Sequence, residues 1–162
     1  REGQIEQNTL RDRFLTIATA KVSTSGEEAQ ELGYLQKNKY SLSMNRSRLI
    51  ADAKAKAIEL VEAGYTTPVR RKDIRVLGKS GLGIVYVGAN TMLAGNYISE
   101  HDQKISQKLG YVMCGGELSA PTLVSEQYLL DLEREVFLSL CGERKTQERI
   151  QSILTKGKPL RN

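Results

Sequence analysis

Along this chain apolar residues recur at three- and four-residue steps, the spacing that gathers side chains on one side of an α-helix. Leu10, Phe14 and Ile17 begin the series and predict a helix from about Thr9 to Ala20. Ser25-Gly-Glu-Glu28 has the form of a capping box, in which the serine oxygen takes an orphan N–H and Glu28 answers, and Gly33 closes that short helix. A polar loop around Gln36 to Ser43 follows. From Asn45 to Ala63, Ile50, Ala53, Ala57, Ile58 and Val61 make an apolar face, with Arg48, Lys54 and Lys56 outward and Gly64 as terminator. Leu82, Val85, Tyr86, Ala89, Met92, Leu93 and Tyr97 mark the next helix. Ser99-Glu-His-Asp102 is a second capping box, opening a helix with Ile105, Leu109 and Val112 on one face and Gly115-Gly116 as its stop. Ser125 caps a helix that places Leu129, Leu132, Val136 and Leu140 inside. Thr146 caps a last one with Ile150, Ile153 and Leu154, after which Gly157 and Pro159 end the order.

Pro68, Pro121 and Pro159 all fall between these periodic segments, which predicts an all-α fold of about seven short-to-medium helices in an irregular bundle. Between Thr66 and Lys72 the composition turns basic and the periodicity lapses, placing a domain boundary near Pro68 and dividing the chain into 1–67 and 68–162.

One stretch competes with the helical reading, Val76-Leu-Gly-Lys-Ser-Gly-Leu-Gly-Ile-Val-Tyr-Val-Gly88. A phosphate loop places a glycine ahead of its Gly-Lys-Ser, yet Ile74 stands five residues before Lys79. A dinucleotide fingerprint needs a third glycine where Tyr86 stands, and Gly88 comes too late. Only Ile74 to Leu77 is left for the preceding strand. The glycines are better read as the entry to a helix, with Gly88 at a close helix–helix contact.

Composition is that of a soluble globular chain, 40% hydrophobic and 27% charged, and no apolar run is long enough to span a membrane. The N-terminus, Arg1-Glu-Gly-Gln, lacks an initiator Met and a signal-peptide layout, so the chain reads as a piece of a larger cytoplasmic protein. Net charge is +5, concentrated from Glu143 to Asn162, where six Lys/Arg face two Glu. Such a tail suits an anionic partner or a solvated helix face, but tyrosines are not interleaved with arginines as base stacking requires, which argues against nucleic acid. Cys114 and Cys141 lack metal-ligand spacing and read as buried thiols.

Catalytic chemistry finds little purchase. His101 is the sole histidine, flanked by Glu100 and Asp102, but its place in the first turn of a helix makes it a surface residue on this reading. No acid pair has the spacing of a shared proton, and no serine sits on a strand–turn–helix elbow.

Two sets of residues carry a resemblance to a known family. Ser25-Gly-Glu-Glu-Ala-Gln-Glu-Leu-Gly-Tyr-Leu35 resembles a segment of enoyl-CoA hydratases and other crotonase-family enzymes. Gly95 to Asp102, Leu109 to Gly116, Glu126 to Glu135, Lys145 to Arg149 and Gly157 to Asn162 together resemble the C-terminal region of bacterial fused 3-hydroxyacyl-CoA dehydrogenase/enoyl-CoA hydratase proteins of fatty-acid β-oxidation. The resemblance implies a parent protein with an NAD-binding dehydrogenase domain and a crotonase-like domain upstream, acting on acyl-CoA and capable of homo-oligomerising. It implies no catalytic, cofactor-binding or metal-binding residue in this chain, because the family's catalytic motifs lie in segments that the chain does not contain. Here the expected role is shape: crotonase C-terminal helices close over the acyl-CoA site, and Lys54, Lys56, Arg70, Arg71 and Lys72 are placed to face CoA phosphates. The alternative is a stand-alone helical interaction module that binds an anionic partner through its basic tail.

Overall fold

The computed structural model of the protein describes residues 2–36 and 40–162. Arg1 and part of the Gln36–Ser43 loop therefore lie outside the described residues. Among those described are seven α-helices: α1 (Glu2–Ala18), α2 (Gly26–Glu31), α3 (Leu49–Glu62), α4 (Gly78–Ala94), α5 (Glu100–Met113), α6 (Glu126–Cys141) and α7 (Arg144–Lys156). A single turn of 3-10 helix, Arg46–Arg48, leads into α3. Two three-residue strands, β1 (Ile74–Val76) and β2 (Thr122–Val124), pair antiparallel with Ile74 opposite Val124 and Val76 opposite Thr122. The all-α expectation holds, with this small ribbon as its one addition.

Two compact units are present. The first combines Arg1–Thr19 with Arg70–Asn162, and the second is Ala20–Val69. The chain thus changes unit two residues after Pro68, but α1 joins the later segment instead of staying with α2 and α3. Its apolar positions explain why: Phe14 is buried, and Leu10 reaches the surface of α4 at Gly81. α1 also begins earlier than its apolar stripe, at Glu2.

In the first unit α4 packs along α5, α5 along α6, and α6 along α7. Leu82, Val85 and Ala89 of α4, Cys114 after α5, and Leu132 and Val136 of α6 form the buried centre, with Val76 of β1 beside them. Gly110 lets α5 approach Val85 so closely that an added Cβ would lie 2.5 Å from a Val85 methyl. Gly88 does not have the helix contact expected of it, since nothing lies within 4 Å of where its Cβ would be. The small residues that serve close approach are Gly81 and Gly110, on the faces that meet.

The second unit has a different balance. Ser25 caps α2 by accepting from Glu28 N at 3.0 Å, while the Glu28 carboxylate accepts from Thr24 N and Thr24 Oγ1, one residue further back than a standard box. Asn45 starts the turn before α3 by accepting from Ser47 N. The stripe on α3 is apolar as expected but not covered: Ile50 is 85% exposed and Val61 76%. No residue of α3 is buried.

Candidate functional site

The two places where chemistry is conceivable are the entry to α4 and the crossing of α5 with α7. At the first, β1 runs into Gly78, which has φ of +57° and turns the chain into α4. Glycine is required there because a Cβ would stand 2.3 Å from the Leu118 carbonyl oxygen. An anion-binding helix start offers free N–H groups. Here Gly78 N donates to Cys114 O at 2.9 Å and Lys79 N donates to Leu118 O at 2.8 Å, while the Ser80 hydroxyl turns back onto Leu77 O. The chain's own carbonyls hold the first two amides of this helix start. Ile84 to Val87 lie within α4 and not in a sheet, so the glycine run is a helix entry, as its spacing indicated.

The second place departs from the sequence reading. Ser99 and Asp102 form the predicted capping box, Ser99 Oγ accepting from Asp102 N at 3.2 Å and Asp102 Oδ2 accepting from Ser99 N at 3.1 Å. His101, expected on the surface, is only 4% exposed. α7 meets the first turn of α5 here and brings Thr146 Oγ1 to 2.9 Å from His101 Nε2. Thr146 is not the cap of α7: the helix begins at Arg144, so Thr146 lies within its first turn, and Glu143, which precedes it, makes no side-chain capping bond.

Beside His101, Arg149 donates to Asp102 Oδ1 at 2.6 Å, in a pair whose side chains are 18% and 27% exposed. Arg149 also donates to the Asn162 side-chain oxygen, and Ser99 Oγ donates to the Asn162 main-chain oxygen at 3.0 Å. Order therefore continues past Gly157 and Pro159: the left-handed turn at Gly157 sends the tail back along α7 to this junction.

Burial pushes the His101 pKa below its ordinary value, and the nearby Arg149 and Lys145 push it further the same way. Burial would raise Asp102, but hydrogen bonds from Arg149 and Ser99 outweigh it and leave its carboxyl lowered. The arrangement is a neutral imidazole beside a satisfied ion pair. It suits fastening one helix and a tail onto another, since His101 Nε2 and both Asp102 carboxylate oxygens are committed to neighbours in the chain.

The remaining candidates are dispersed. Cys114 is fully buried, and burial pushes its thiol up to about 11, away from thiolate chemistry. Cys141 is half-buried and also free. Of the five basic residues considered for CoA phosphates, Lys54 and Lys56 belong to one unit and Arg70, Arg71 and Lys72 to the other. Lys56 pairs with Glu59 at 2.5 Å, Arg71 with Asp73 at 2.9 Å, and Arg70 donates to Gln127. In the tail, Arg144 pairs with Glu148 and Arg149 with Asp102, which reduces the free positive charge of that segment. No group of His, Cys, Asp and Glu among the described residues is arranged to hold a metal. No helix among them is long and apolar enough to cross a membrane.

No protein-family profile matches the chain, and no solved structure matches it. Over all 162 residues the chain is 46% identical to a probable 3-hydroxyacyl-CoA dehydrogenase of Bacillus subtilis (strain 168). That match spans 20% of the relative's length, so the chain corresponds to about a fifth of the protein it resembles.

Proposed function

We propose that this chain is one part of a longer 3-hydroxyacyl-CoA dehydrogenase of fatty-acid breakdown, in which it serves assembly and closure of the acyl-CoA site instead of catalysis. The observation that carries the proposal is the end-to-end similarity to the Bacillus subtilis relative, at an identity where fold and general role are ordinarily shared. The geometry supports the division of labour. NAD would be the hydride acceptor of the whole protein, but the residues described here do not fit it: the amides at the α4 entry are taken by Cys114 O and Leu118 O, and Gly78 abuts the Leu118 carbonyl. Dinucleotide binding then belongs to the remainder of the longer protein. A hydratase activity in the same polypeptide, cytoplasmic location and homo-oligomerisation are parts of the same proposal, resting on the resemblance of Gly95–Asp102 and Glu126–Glu135 to fused enzymes.

The test is enzymatic. The longer polypeptide is expected to form NADH from a 3-hydroxyacyl-CoA and NAD, and to consume a 2-enoyl-CoA thioester, while the 162-residue chain alone turns over neither. Absence of NADH formation by the longer polypeptide, or turnover by the short chain, would reject the reading.

A further inference from the structure

α4 is the least polar helix of the protein: Lys79 is its one charged residue in 17. A helix apolar on all sides is ordinarily buried on all sides. Here only one side is. Leu82, Val85 and Ala89 face the core, whereas Gly83, Ile84, Val87, Gly88 and Thr91 are exposed, Val87 at 68%. Two of the polar side chains of α4 bond within the protein. Thr91 Oγ1 donates to Val87 O at 2.8 Å, and Asn90 accepts from Gln103. Around Gly83 and Gly88 there is open space, so another backbone has room to come close.

We infer that the outer face of α4 is the seat of an apolar segment from the remainder of the longer polypeptide. The inference rests on the proposed function, because it needs that remainder to exist. The relative has four fifths of its length beyond the part matched here, ample chain to supply the occupant. Size decides against a second copy. One face of a single helix offers a few hundred Å², while a stable dimer needs about 800 Å² per partner. A segment of the same polypeptide docks at high effective concentration, so a small face suffices.

Thiol accessibility in the longer polypeptide tests this directly. Cysteines are introduced singly as Val87→Cys, Thr91→Cys and, for reference, Glu133→Cys on α6, positions that are all exposed in this structure. Maleimide labelling of each is followed peptide by peptide by mass spectrometry. Positions 87 and 91 are expected to label about tenfold or more slowly than position 133, the signature of a covered surface that opens only transiently. Equal rates at the three positions would overturn the inference. So would protection at 87 and 91 that disappears on dilution, which would mean a second copy. Dehydrogenase activity is measured on the same samples: protection without activity would reject the proposed function while leaving the seat on α4 in place.

Discussion

At the level of single residues, the glycines of α4 do opposite things, and substitution separates them. Gly78→Ala adds a side chain to a left-handed turn and drives it into the Leu118 carbonyl, so it is expected to cost at least about 2 kcal/mol. Gly88→Ala, in a helix interior with open space around it, is expected to stabilise the 162-residue chain by about 0.5–1 kcal/mol. Urea midpoints at constant slope measure both. A destabilising Gly88→Ala in the isolated chain would mean that its surroundings are not open. The thiols divide in the same way: Cys141, half-buried, should alkylate in the native protein, and Cys114, buried with its pKa pushed to about 11, only after unfolding.

At the level of elements, the junction of α5 and α7 should respond to acid. His101 has its pKa lowered by burial and by Arg149 and Lys145, while Glu143 and its neighbour Asp102 oppose the shift. The unfolded chain therefore binds a proton there more readily than the folded one, and stability falls as pH drops below about 6.5. Asp102, lowered in the folded state, adds a further loss at the acid end of the carboxylate range. His101→Gln can still hydrogen-bond Thr146 but cannot be protonated. Its urea midpoint should change less between about pH 8 and about pH 5 than that of the parent, and an unchanged slope would remove His101 from the account. Arg149→Met leaves the Asp102 carboxylate half-buried without its ion-pair partner. The expected cost is about 1–3 kcal/mol, between the values for exposed and fully buried pairs. The sequence made one half of this junction legible, since Ser99 and Asp102 stand at capping-box spacing. It could not reveal the other half. Nothing in the periodicity of α7 says that it meets the first turn of α5, where Thr146 bonds His101 and Arg149 bonds Asp102. In the same way the stripes on α4 and α6 located the core, whereas the largely apolar composition of α4 hid which glycines lie inside and which lie outside.

For the whole molecule, burial predicts how the two units differ in stability. The first unit encloses Phe14, Val76, Leu82, Val85, Ala89, Cys114, Leu132 and Val136, drawn from α1, β1, α4, the end of α5 and α6, so opening any one of these elements exposes side chains packed by others. In the second unit Ala29 is the sole buried apolar residue among those described, and α3 buries none. A helix of 14 residues and one of six are marginal in water without tertiary packing. The caps at Ser25 and Asn45 contribute about 1 kcal/mol each, too little to replace a core. Amides of α2 and α3 in the 162-residue chain should therefore exchange with deuterium about a hundredfold faster than those of α4, α5 and α6. Comparable protection in the two sets would show that exposed Ile50 and Val61 are covered in solution. The stripe of α3 has the composition of a buried face, and under the proposed function its protection should rise in the longer polypeptide, where chain is available to cover it.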